Sequence, residues 1–118
     1  MSAIDDCFAK LRQEGRKAFL PFVTAGDPSL EVTARVLQAL QASGAAMAEV
    51  GIPYSDPIAD GPVIQASYTR ALDAGVRLRD IFATIGQVAP QLGMPLVSMV
   101  SYSIIQRVGA EKYVSDAQ

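Results

Sequence analysis

Apolar residues recur at helical spacing through residues 3–14, at Ile4, Cys7, Phe8 and Leu11, and Gly15 ends the run. The pattern then changes. Residues 18–25 are almost continuously apolar over the length of a strand, closed by Gly26-Asp27-Pro28. A strand apolar on both faces suits a parallel sheet covered on each side. Asp27 and Pro28 read as the N-cap and first residue of a helix, with Glu31 in its first turn. Val32, Val36, Leu37 and Leu40 form its apolar stripe, and Gly44 stops it. Residues 45–52 predict a second strand. A long loop follows, then a helix over 62–74 ended by Gly75. The spacing of Ile81, Phe82, Ile85, Val88 and Leu92 predicts another helix over 79–92, broken by Gly93-Met94-Pro95. Residues 96–102 predict a third strand. A last helix is expected over 104–118, with Ile105, Val108, Tyr113 and Val114 apolar.

Apolar strands alternating with amphipathic helices predict an α/β fold built from βαβ units around a parallel sheet. If the sheet curls, right-handed crossovers put every helix on one side of it. A closed (β/α)8 TIM barrel takes about 250 residues. This chain has 118 and supplies three strands. The expectation is therefore one domain over residues 1–118, forming the N-terminal part of such a barrel behind an extra N-terminal helix.

Charge and composition narrow the function. Ten basic and twelve acidic residues give a net charge of -2, with the basic residues scattered. No nucleic-acid-binding face is indicated. Acids occupy the N-terminus where a signal peptide carries bases, and no apolar run reaches the roughly 20 residues of a membrane span. With one cysteine, the expected location is the cytoplasm. There is no histidine, which removes histidine triads and histidine metal sites, and no metal centre is expected. Proton transfer is left to carboxylates, tyrosine, lysine or Cys7. Cys7 itself lies on the apolar face of the first helix and reads as a buried structural thiol.

The strongest candidate chemistry lies between Glu49 and Gln65, where three prolines, two glycines and the acids Asp56 and Asp60 follow a strand-end glutamate. In parallel α/β folds the C-terminal ends of the strands gather the active site. Alternation puts Glu49 on the face opposite Ala48, and a glutamate pointing into a barrel among apolar neighbours suits proton exchange. Each loop acid also has a local reading. Asp60 before Gly61-Pro62 is an ordinary N-cap, and Ser55-Asp56-Pro57 an ordinary turn. Together with Glu49 they place three acids at one end, and paired carboxylates with split roles recur in acid–base sites. Tyr102, at the end of the third strand, reads first as a half-buried aromatic and Phe22 as core. Thr24 and Ser101 are weak polar candidates.

Two blocks carry a family likeness. Residues 22–28, Phe-Val-Thr-Ala-Gly-Asp-Pro, and residues 49–65, Glu-Val-Gly-Ile-Pro-Tyr-Ser-Asp-Pro-Ile-Ala-Asp-Gly-Pro-Val-Ile-Gln, closely resemble the tryptophan synthase alpha subunit. The resemblance implies a (β/α)8 barrel that cleaves indole-3-glycerol phosphate to indole and glyceraldehyde 3-phosphate without a cofactor. It implies Glu49 as the general acid–base and Asp60 as the stabiliser of positive charge on the indole nitrogen. It implies an indole pocket at Phe22, Ile64, Val100 and Tyr102. It further implies a beta-subunit partner facing Pro53 and Asp56. The chain departs from the pattern at Ala46, where the family usually has aspartate, and at Ser103-Ile104, where an Asn-Pro pair is common. The family's phosphate-binding loops match nothing up to Gln118. The expectation for these 118 residues alone is little lyase activity. The alternative is a non-catalytic half-barrel that associates with itself or binds the beta subunit.

Overall fold

A computed structural model describes all 118 residues. Helix α1 (Ala3–Gln13) leads into β1 (Phe22–Thr24), α2 (Leu30–Ala42), β2 (Ala48–Gly51), α3 (Pro62–Asp73) and α4 (Leu78–Val88). A 3₁₀ turn (Ala89–Gln91), β3 (Leu96–Met99), α5 (Tyr102–Val108) and α6 (Ala110–Ala117) complete the chain. The three strands are parallel, in the order β1-β2-β3.

The register decides which face does what. Phe22, Glu49 and Val97 form one row across the sheet, and Thr24, Gly51 and Met99 the row two residues on. Side chains alternate along a strand, so Ala48 and Val50 point the other way. They are fully enclosed and join Ala25, Ile52, Leu37, Ile81 and Val88 in the core between the sheet and helices α2 and α4. Glu49 is half-buried on the opposite face, as the alternation predicts.

Several boundaries differ from the sequence reading, each for a local reason. Ser29, not Asp27, caps α2, its hydroxyl accepting the Val32 N–H at 3.2 Å. Pro90 lacks the N–H that an α-helix needs and α4 gives way there to the 3₁₀ turn. The third strand ends at Met99, because the Ser101 hydroxyl accepts the Ser103 N–H and starts α5. Tyr102 is therefore helical and largely exposed rather than at a strand end. Gly109, at φ 96°, divides the expected last helix into α5 and α6. Left-handed backbone is open to glycine and strained for other residues. The first strand is shorter than its apolar run. Phe19 and Leu20 precede the ladder and are exposed.

Candidate active site

The acidic loop is held from below by one side chain. The Gln65 amide donates to the Pro57 carbonyl at 3.2 Å and to the Asp60 carbonyl at 2.6 Å. The Asp60 N–H also donates to Pro57 O, and the Ile58 N–H to Asp56 O. Gln65 therefore fixes the backbone on which Asp56 and Asp60 are carried.

The N-cap of α3 is Gly61, and no side chain bonds its first turn. This corrects the capping reading of Asp60. Its carboxylate serves no helix end, and it is half-buried against a cavity of about 240 Å³. Ile52, Tyr54, Tyr68, Met99 and Val100 line the same cavity. Ligand pockets of drug-like molecules run about 300–1,000 Å³, so this space suits a small ligand or one part of a larger one.

Gly51 brings the aromatic groups against the strand. A Cβ there would lie 2.4 Å from Phe22 Cζ and 3.0 Å from Tyr68 Oη, so only glycine lets both approach. Tyr68 is 3% exposed. Burial, and then the negative charges of Asp60 and Glu49, push its pKa up to about 12. Glu49 stands two residues before Gly51 on the same strand face, and Asp60 lines the cavity that Tyr68 also lines, so the two acids and the phenol lie on one side of the sheet.

A clamp at the side holds α3 in position. Asp27 accepts from Arg70 Nε at 3.1 Å and Nη2 at 2.7 Å, and from the Ser67 hydroxyl. The Arg70 hydrogen bonds hold the Asp27 carboxyl below its usual range, against the opposing effect of burial and with help from Ser67. Ser67 and Arg70 flank Tyr68, so the clamp fixes the turn that carries the phenol.

The remaining candidates fall as follows. Phe22 and Ile64 are half-buried, Phe22 in the row with Glu49 and Ile64 one turn before Tyr68 on α3. Val100 and Ser101 line the cavity, while Glu49, Phe22, Ile64 and Tyr102 do not. Thr24 is buried in the Gly51 row. Asp56 is exposed and Pro53 is buried beneath it. The sequence reading passed over Tyr68 and Gln65. Spacing carried a signal for Tyr68, four residues after Ile64 and so on the same helix face.

A larger cleft, about 740 Å³, lies between α1 and the segments before β2 and β3. That is the N-terminal end of the sheet, where barrels carry stability rather than chemistry. The Cys7 thiol donates there to Ala46 O at 3.4 Å, in keeping with a structural thiol. No group of three metal-ligating side chains converges anywhere in the molecule.

Comparison with known proteins bears on the same elements. The statistical description of the tryptophan synthase alpha chain family matches residues 8–118. The chain belongs to that family. It is 51% identical to the tryptophan synthase alpha chain of Rhodopirellula baltica over 121 residues, covering 99% of this chain and 43% of that one. Against the alpha chain of Synechococcus elongatus it is 52% identical over 114 residues, covering 97% and 43%. Among solved structures, the alpha subunit from Legionella pneumophila superposes with a TM-score of 0.91 at 34% identity, covering 99% of this chain and 47% of that chain. The aminoacrylate-bound tryptophan synthase of M. tuberculosis gives 0.91 at 32% identity, with the same two coverages. This tryptophan synthase alpha family chain thus spans less than half the length of these relatives. Its α/β architecture is the matching part of their TIM barrel. No helix is long and apolar enough to cross a membrane.

Proposed function

We propose that this chain supplies the acid–base part of a site in tryptophan biosynthesis that cleaves indole-3-glycerol phosphate to indole and glyceraldehyde 3-phosphate. The observation that supports this most is the placement of Glu49 two residues before Gly51, on the strand face that the Tyr68 hydroxyl approaches, with Asp60 lining the cavity that Tyr68 also lines. Glu49 delivers a proton to the indole ring carbon that bears the glycerol chain, and the positive charge that appears on the ring nitrogen is balanced by the Asp60 carboxylate. Glu49 then takes the proton of the adjacent glycerol hydroxyl. The O–H electron pair becomes the new C=O bond, the carbon–carbon bond breaks, and its pair returns to the ring and neutralises the nitrogen. The reaction is redox-neutral, and its proton and electron-pair transfers close between Glu49 and the substrate. Phe22, Ile64 and Val100 offer the apolar surface for the ring, and the exposed Tyr102 stands at the margin.

The test joins residues 1–118 to the remainder of the Rhodopirellula baltica alpha chain and assays indole release from indole-3-glycerol phosphate. The chimera is expected to turn over. Glu49→Gln is expected to lower kcat by about 10²–10⁴ and Asp60→Asn by about 10²–10³. Retention of activity within about threefold by the Glu49→Gln variant would overturn the assignment.

We further propose that the outer side of the acidic loop meets a beta-chain partner. Asp56 is exposed and the neighbouring Ile58 is 89% exposed, an unusual place for a large aliphatic side chain. Because Pro53 is buried, it would shape the loop rather than touch the partner. Calorimetric titration of the chimera with a beta chain tests this. Ile58→Asp is expected to weaken binding, and unchanged affinity would remove the loop from the interface.

A further inference from the structure

Tyr68 is the one buried titratable group at this site to which the proposed reaction gives no role. The residue is 3% exposed, yet its hydroxyl makes no hydrogen bond to another residue. No fully enclosed side-chain polar atom in the molecule lacks a partner. The Tyr68 hydroxyl is therefore the cavity-facing tip of an otherwise buried side chain. The protein leaves the hydrogen-bonding capacity of this hydroxyl unused and open to the cavity, where a ligand atom that accepts a hydrogen bond can take it up.

The chemistry of the neighbours says what that is. Glu49 and Asp60 as carboxylates only accept hydrogen bonds, whereas the phenol donates. A ligand hydroxyl between them can give its proton toward a carboxylate and accept from the phenol at once. We propose that Tyr68 is a ligand-binding donor that recognises a hydroxyl on the side chain of an indole ligand, and this rests on the function proposed above. In the cleavage step the same bond would stabilise the negative charge that builds on the oxygen as Glu49 removes its proton. The raised pKa keeps the phenol protonated while it does so. The role depends on Gly51, because a side chain there would displace the hydroxyl.

The chain contains no tryptophan, so the fluorescence of an added indole reports binding with little background. The probes are indole and indole-3-methanol, whose hydroxyl sits on the ring-attached carbon, titrated at neutral pH into the parent chain and the Tyr68→Phe variant, with urea unfolding confirming that both are folded. Tyr68→Phe is expected to weaken the hydroxyl-bearing probe by about fivefold or more and leave indole unchanged. Equal weakening of both probes would overturn the inference in favour of a packing role. No weakening of either would overturn it while leaving the acid–base assignment intact. Absence of binding by the parent chain would overturn the ring pocket itself, and the inference with it.

Discussion

Substituting Gly51 by alanine probes the point on which the site turns. The added methyl carbon would lie 2.4 Å from Phe22 Cζ and 2.7 Å from Cε2, about 1 Å inside the 3.4 Å at which ordinary contact begins. The Phe22 backbone is paired to Glu49 and cannot move away alone, so the ring must rotate off the strand or the whole ladder must shift. Overpacking of this kind costs about 1–3 kcal/mol. With a urea m-value of about 1–3 kcal/mol/M, the midpoint should fall by roughly 1 M with m unchanged. The companion variant Phe22→Ala removes the obstacle. The double variant should then be less destabilised than the sum of the singles, by about 1 kcal/mol or more, as expected for residues in direct contact. Additivity within about 0.3–0.5 kcal/mol, or a Gly51→Ala chain as stable as its parent, would refute the close approach of Phe22 to this strand.

Three other outcomes follow from the same geometry. Tyr68 has a folded-state pKa of about 12, above its unfolded value near 10, so the folded chain binds more protons between those limits. Its contribution is complete below pH 10 and is lost as pH rises toward 12, by up to roughly 3 kcal/mol. The difference between the parent and Tyr68→Phe in urea unfolding should show this decline, and a pH-independent difference would contradict it. Asp27 is depressed, so its contribution is present above its unfolded pKa and disappears as pH falls through the folded one. Asp27→Asn should cost about 1 kcal/mol near neutral pH and much less in acid, measured by thermal unfolding at both. An equal cost at both pH values would mean that the Arg70 charge plays no part. Gln65→Leu removes both donors that hold the acidic loop, and amide hydrogen exchange at Asp60 and Ile58 should quicken about fivefold while core amides of β2 do not change. Unaltered loop exchange would show that the loop is held by something else.

Much of this molecule was legible in the linear pattern because its determinants are local or periodic. Apolar strand runs, helix stripes and the stops at Gly15, Gly44 and Gly75 depend on neighbours a few residues apart, and they reappear in the fold with shorter strands and the last helix divided at Gly109. The position of Glu49 opposite Ala48 needed only the two-residue alternation of a strand. Residues 22–28 and 49–65 carried the family likeness for the same reason, as contiguous blocks. What stayed hidden depends on groups brought together from distant segments. Asp27 looked like a helix cap but is taken up by Ser67 and Arg70, some 40 residues on. Asp60 looked like a cap but is left free, because Gly61 starts α3 and Gln65 anchors the loop through backbone carbonyls. Tyr68 drew no reading from the sequence at all. Only tertiary packing sets its hydroxyl over Gly51 and in the cavity that Asp60 lines. Local periodicity decides which residues form strands and helices, while the energy of a buried phenol or a free carboxylate depends on three-dimensional neighbours that no spacing along the chain encodes.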